Sequence, residues 1–415
     1  MIQPGVFLHV IPSKKFKTID CSIHFVGHLD SKTLSARSLL ANILTETSID
    51  YPTRKQLKRR LSDLYGTELH ANVSRFGKRH LMNVHLSLVD EKYIEEEYIP
   101  DALKILHTVL FDPHFLTDSF DRQLFETERQ QLIDELSDIY NDKQAYAIQQ
   151  AQKIYFEDDA QKLPAIGQVS DLEEMTITDV QKAYEKMMAE DEVHIYVLGD
   201  VCAEKWANYF EKWEFSGRST IAEPVIYRQD SPTEVQHKTL NQNVQQAELI
   251  LAFNYQGPSD QNESAMVFNS VFGGGSHSKL FKEIREKENL AYYAYSSFNL
   301  SRSQMLVDMG IDAVHQDRAV ELVKRELEKL IHEEVSGEEL QKSKRSLING
   351  LYQSEDSPYR IINRHLFSTL MRRDIPLSDQ IELIHQVSTA DIAGIAKQME
   401  LSVVLVLKGE EDEKN

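Results

Sequence analysis

The sequence predicts an α+β protein made of two homologous domains, each a mostly antiparallel sheet packed with helices. Three observations lead there. Strand patterns and helix patterns recur in the same order in both halves of the 415 residues. Single residues also coincide between the halves: Leu57, Leu61, Ala71 and Ser74 fall on Leu280, Ile284, Ala294 and Ser297 at an offset of 223, and Gly199 falls on Gly409 at an offset of 210. Between the halves lies 215–232, which carries Gly217, Pro224 and Pro232 with little periodicity and reads as a linker. A repeat spaced by about 210 residues is far too long for a solenoid. The expected organisation is therefore a domain over 1–214, the linker 215–232, and a second copy over 233–415.

In the first half, apolar alternation predicts strands over 5–11 and 17–28. Leu34, Leu39, Leu40, Ile43 and Leu44 recur at helical spacing and predict a helix over 33–47. Thr53 followed by Gln56 forms a capping box that opens a helix over 54–64. Strands at 67–74 and 80–89 follow, then helices at 100–110, 119–152 and 178–189. A strand from Val193 to Leu198 closes the half at Gly199. The second half repeats the order, with strands at 233–240 and 246–254, then helices at 260–272 and 278–287. Strands at 290–299 and 303–313 precede helices at 315–334, 337–370 and 389–399, and the strand Ser402 to Leu407 ends the pattern near Gly409.

Bulk properties narrow the function. A hydrophobic fraction of 41% and a charged fraction of 27% are ordinary for soluble globular chains with sizeable cores. The net charge of −20 argues against nucleic acid, which calls for clustered Lys and Arg. A solvated acidic surface is its plainer reading, although it also favours cationic partners or peptides. Two cysteines, Cys21 and Cys202, make no disulfide framework. The N-terminus shows no basic-then-apolar secretory signal, and no apolar run approaches the ~20 residues that span a bilayer. A reducing cytoplasm is the expected compartment.

Isolated motifs carry little chemistry. His24 and His28 are four apart, a spacing that suits zinc on a helix, but here they lie in a strand pattern. There a four-residue step separates side chains by about 13 Å, too far for one ion. His80 and His85 are expected on opposite faces of their strand. No Cys-x-x-Cys, His-Glu-x-x-His or His-x-x-Glu-His occurs. The run Gly273-Gly274-Gly275-Ser276-His277-Ser278-Lys279 lacks the Gly before Lys and the preceding strand of a phosphate loop, and reads first as a flexible joint between helices. There is no Gly-x-Ser-x-Gly nucleophile elbow.

The larger pattern resembles the M16 (pitrilysin, insulinase-like) metallopeptidases over nearly the whole chain. The family opens its first long helix with His-x-x-Glu-His, whose histidines bind zinc and whose glutamate activates water. The matching helix here reads Arg37-Ser38-Leu39-Leu40-Ala41-Asn42-Ile43-Leu44, so the resemblance places Ser38 and Asn42 at the histidines and Ala41 at the glutamate. A hydroxyl and a neutral amide are weak zinc ligands, and Ala41 cannot act as a base. Downstream, Asp112-Pro113-His114-Phe115 and Glu128-Arg129-Gln130-Gln131-Leu132-Ile133-Asp134-Glu135 match the family segments that lead to its third zinc ligand, which falls on Glu135. Glu135 shares a helical stripe with Leu132 and Ile139, and an inward-facing side chain with a structural hydrogen bond is expected. Gly167 fits a further family segment. In the second half, Leu280 to Tyr292 resembles the family's Leu-Arg-x-x-x-x-Leu-x-Tyr, with Arg285 and Tyr292 at the substrate- and oxyanion-holding positions and Ile284 for the usual Leu.

What the resemblance implies is a LuxS/MPP-like two-domain fold and the non-catalytic half of a two-chain enzyme. In such pairs one subunit bears zinc and the other the Arg-Tyr element, across a chamber near which the loop Gly273, Gly274 and Gly275 would lie. The implied function is a regulatory or substrate-binding subunit of a heterodimeric zinc peptidase that processes peptides, inactive alone. It would have no metal or cofactor of its own, zinc being expected only in a homologous partner. The alternatives are a self-sufficient peptidase with an altered metal site and a non-enzymatic peptide-binding or scaffold subunit. No nucleic-acid or membrane partner is implied, and a homodimer stays open.

Overall fold

The computed structural model describes residues 1–94, 96–215 and 217–409, which form two compact units. The first contains Met1–Ser137, Pro164–Pro224 and Pro358–Phe367; the second contains Asp138–Leu163, Val225–Ser357 and the residues from Ser368 onward.

Strands β1 (Val6–Pro12), β2 (Thr18–His28), β3 (Glu68–Phe76), β4 (Arg79–Val89) and β5 (Glu192–Gly199) make the first sheet, in the order β1-β5-β2-β4-β3. Only the β1–β5 pair is parallel. Strands β6 (Gln236–Asn241), β7 (Ala247–Tyr255), β8 (Ala291–Asn299), β9 (Gln304–Ile311) and β10 (Met399–Lys408) make the second, in the order β6-β10-β7-β9-β8, with β6–β10 the parallel pair. Strand for strand the two orders are the same. The repeated pattern read from the sequence thus appears as two five-stranded mixed sheets, each packed with helices.

The helices of the first half are α1 (Leu34–Leu44), α2 (Arg54–Asp63), α3 (Ile99–Phe111), α4 (Arg122–Asp138), α5 (Lys143–Tyr155), α6 (Asp159–Lys162), α7 (Val169–Glu174), α8 (Ile177–Glu190) and α9 (Ala203–Phe210). Those of the second are α10 (Asn262–Phe272), α11 (Gln316–Ile331), α12 (Gly337–Ser354), α13 (Pro358–Leu370), α14 (Leu377–Gln386) and α15 (Thr389–Ala396). The Thr53–Gln56 capping box that opens α2 is present, and Ser336 with Glu339 opens α12 in the same way.

Two expected helices are each broken in two. The span 119–152 divides because Asp142 leaves helical geometry and its side chain accepts from Ala145 N, capping a new start. The span 337–370 divides before Pro358, whose missing N–H and ring favour the first turn of a helix over its interior. Both breaks redirect the chain. Helix α5 lies in the second unit, where Ala147, Ala151 and Tyr155 pack with Ile250, Ala252, Leu405 and Leu407. The opposite face of that sheet, with Leu249, Leu251, Val307 and Met309, packs on Phe268, Phe272 and Leu322. Most of α13 lies in the first unit, where Phe367 stacks on Phe76 of β3 with ring centroids 4.6 Å apart. Among the described residues no helix is long and apolar enough to cross a membrane.

Candidate functional site

Helix α1 carries the first group of candidate residues. It is buried almost all round, from Leu34 to Leu44 with Asn42 alone half-buried. Such a helix is held by its neighbours and not by an amphipathic face. Arg37 supplies its strongest polar anchor: the guanidinium pairs with Asp191 at 2.7 Å, and Nε donates to His80 Nδ1 at 2.9 Å. Burial pushes the Asp191 carboxyl up even with Arg37 beside it. Imidazole His80 is held down at about 3 by burial and then by Arg37. Gly167 lies against this helix, since a Cβ there would sit 2.0 Å from Ser35 Oγ.

Ser38 and Ala41 are 2% and 1% exposed, and Ser38 Oγ has no hydrogen-bond partner among the described residues. Glu135 departs from expectation. It is exposed on α4 and makes no hydrogen bond or ion pair among the described residues, because the buried stripe runs through Phe125, Glu128, Leu132 and Leu136 and leaves it on the flank. The carboxylate that does turn inward is Glu128. Arg54 pairs with both Glu128 and Glu46, tying α4 to the end of α1. The local sequence pattern holds no sign of this clamp, because its members are far apart in the chain. A buried hydroxyl, a methyl, an amide and an exposed carboxylate do not fit zinc. Among the described residues no group of three or more His, Cys, Asp or Glu is arranged to hold a metal ion.

In the second unit, α10 ends at Gly273, and the glycine run is a packing feature. A Cβ on Gly273 would lie 2.5 Å from Ser296 Oγ, and one on Gly274 2.8 Å from Ser270 Cα. Gly275 is looser, with His277 as its neighbour at 3.3 Å. The expected helix over 278–287 is a π-helical segment, Phe281–Lys287, a geometry that is rare and concentrates at functional sites. Arg285 stands exposed on it, with its guanidinium 4.7 Å from the Phe281 ring. Four residues on, Asn289 has φ +53°. Tyr292 then falls at a register shift between Ala291 and Tyr293, where it is the extra residue of a β-bulge on edge strand β8. The bulge turns its ring outward, 68% exposed. A tyrosine in regular alternation here would be expected to pack. Arg285 and Tyr292 therefore both project from backbone irregularities.

The family described as "Peptidase M16 inactive domain" matches residues 174–347. "Probable inactive metalloprotease YmfF" of Bacillus subtilis (strain 168) is 26% identical over 413 residues, spanning 98% of this chain and 96% of that protein. The chain belongs to the M16 peptidase family. Solved structures share its fold. A conserved protein from Enterococcus faecalis V583 superposes with a TM-score of 0.93 at 32% identity, over 100% of this chain and 99% of that one. A peptidase M16 inactive domain from Pseudomonas fluorescens shares the fold, with a TM-score of 0.80 at 16% identity over 99% and 98% of the two chains. This M16 chain is a homologue of a protein described as an inactive metalloprotease.

One polar cluster escaped the motif search altogether. His9, His24, His70, His85 and His194 all lie on one face of the first sheet, while His80 points to the other face and touches Arg37. The period-two placement of Ser22 with His24, Asn83 with His85 and His194 with Tyr196 was the available signal. The histidines meet only across strands, through pairings that no single strand's sequence shows.

Proposed function

We propose that this chain is the non-catalytic, substrate-binding subunit of a two-chain M16 zinc peptidase that processes peptides in a reducing cytoplasm. One observation carries the reading: in a chain without zinc chemistry at Ser38, Ala41 and Asn42, Arg285 and Tyr292 are nonetheless both held outward by special backbone. A guanidinium and a phenol presented this way are suited to a peptide carbonyl and to the negative charge that develops on its oxygen. Neither side chain makes a hydrogen bond or ion pair among the described residues; the Arg285 guanidinium rests on the Phe281 ring of its own segment, and the Tyr292 ring is exposed. Free Cys21 and Cys202 accord with the compartment. The partner is a homologous chain bearing an intact His-x-x-Glu-His, which supplies the metal.

Tyr292→Phe tests this most cleanly, because it removes a hydroxyl and keeps the ring. Loss of one oxyanion donor lowers turnover by about 10²–10³-fold in one well-studied protease. In a looser two-chain site a fall of at least about tenfold is expected for Tyr292→Phe and for Arg285→Ala. Assembly and melting temperature should stay at the wild-type level. Wild-type turnover by a normally assembled Tyr292→Phe complex overturns the proposal.

A further inference from the structure

The polar face of the first sheet is organised in two rows that cross all five strands. Register pairing aligns Phe7, His194, His24, Asn83 and Asn72 in one row, and His9, Tyr196, Ser22, His85 and His70 in the next. The middle of this belt is buried, with His24 3% exposed, His194 2%, Asn83 5% and Ser22 2%, while Phe7 and His9 on β1 are half-buried and His70 and Asn72 on β3 are exposed. Helix α13 reaches the same face at its two edges. It stacks Phe367 on Phe76 at one edge strand, and it brings His365 close enough to act electrostatically on His9 at the other.

The histidines differ in what surrounds them. His194 Nε2 donates to the Glu192 carboxylate at 2.7 Å, and His85 faces Asp20 at 3.2 Å and Ser22 at 2.7 Å, so each has a carboxylate neighbour. His24 and His9 have none among the described residues. His24 Nε2 is buried with no hydrogen-bond partner among the described residues, as is Oδ1 of Asn83 beside it, and the ring meets Tyr196 edge-on. His9 shares its Nε2 with His194 Nδ1 at 3.1 Å and stacks on Tyr196. The charged or titratable groups around the two are the chain's N-terminal ammonium, His194, Glu192 and Tyr196 on β5, Arg79 and His85 on β4, and Asp20 on β2. To these β3 adds His70 and Glu68, and α13 adds His365 with Arg360 and Arg364. Asp20 and Glu192 are already engaged by His85 and His194, and Glu68 acts on His70 at the exposed edge strand.

We propose that this belt is an acid-opened latch: protonation of His9 and His24 releases helix α13 from the sheet and bares the polar face beneath it. The cation has nowhere to go while the helix is closed. Opening lets water solvate both imidazolium rings and satisfies the orphaned His24 and Asn83 atoms at once. The same direction is set by burial and by the neighbouring imidazoles, which hold His9 down at about 4 and His24 at about 3. A helix that closes over imidazoles is a bistable element of the kind pH sensors use.

Hydrogen exchange of the full chain between pH 7.5 and 5, corrected for the intrinsic pH dependence of exchange, tests the latch. Two protons taken up on opening increase the opening constant by as much as about a hundredfold per pH unit once pH lies below the open-state pKa. Peptides covering α13 should therefore lose protection by at least about tenfold between pH 6 and 5, while peptides covering α1, which exchange only on global unfolding, stay better protected at every pH. His9→Gln and His24→Gln should each flatten the α13 response by about one proton, and His9, at the sheet edge, is the milder substitution. Unchanged α13 protection overturns the proposal, and so does α13 protection equal to that of α1 at every pH. A full pH response in a folded His9→Gln or His24→Gln chain does the same.

Discussion

Replacing Arg37 by Met removes the polar anchor of α1 and leaves the Asp191 carboxylate buried beside it. The two side chains are 5% and 6% exposed and 2.7 Å apart. Breaking a buried pair by deleting one partner destabilises by about 3–5 kcal/mol where nothing else compensates the remaining charge, and here Arg218 also acts on Asp191, which favours the low end. The Nε bond to His80 adds about 1 kcal/mol at most, since water replaces it in the unfolded chain. Burial already pushes the Asp191 carboxyl up, so the orphaned group escapes part of the penalty by taking a proton. A loss of about 3 kcal/mol at neutral pH is the expected net effect. Tryptophan fluorescence during urea unfolding reads it directly, because the chain's two tryptophans, Trp206 and Trp213, are both buried in the first unit. Adding Asp191→Asn removes the stranded charge and should recover about half of the loss or more. The reasoning fails if Arg37→Met loses less than about 1 kcal/mol, or if the second substitution recovers nothing.

Other consequences can be checked on the same material. Ser38→His places an imidazole where the hydroxyl is 2% exposed, so overpacking should destabilise the first unit by about 1–3 kcal/mol; a variant as stable as wild type would show that the pocket still accepts a zinc ligand. The first unit should also be acid-labile. His9, His24 and His80 sit near 4, 3 and 3 when folded, against an ordinary 6.5. The unfolded chain therefore binds more protons, and stability present above about pH 6.5 is lost as pH falls toward 4. Each fully buried imidazole contributes about 1.4 kcal/mol per pH unit in that window, with less from His9 at the sheet edge. Urea midpoints that stay level between pH 7 and 5 would contradict this.

The fold was legible wherever its determinants were local. Capping at Thr53 and Gln56, strand alternation such as Ile19, Cys21, Ile23 and Phe25, and the duplicate order of elements all reappear in the structure. What stayed hidden depends on partners distant in sequence. Helix-compatible residues on both sides of Asp142 concealed the break that sends α5 to the second sheet. Pro358 was visible, yet its effect on where α13 packs was not. Glu135 looked inward by spacing from Leu132, but the stripe is set by Phe125 and Glu128, and Glu128 is fixed by Arg54 on another helix. Tyr292 is one tyrosine of the run Ala291-Tyr292-Tyr293-Ala294, and only the pairing of Ala291 and Tyr293 with β9 shows it to be the bulged one.

The proposed function requires this chain, without zinc chemistry of its own, to lend Arg285 and Tyr292 to a partner that has it. Peptide turnover per zinc-bearing partner, measured with and without this chain, tests that claim most directly. Turnover should be absent for this chain alone, low for the partner alone, and at least about tenfold higher for the two together, given what a single oxyanion donor contributes. A partner equally active alone, or chelator-sensitive cleavage by this chain in isolation, would contradict it.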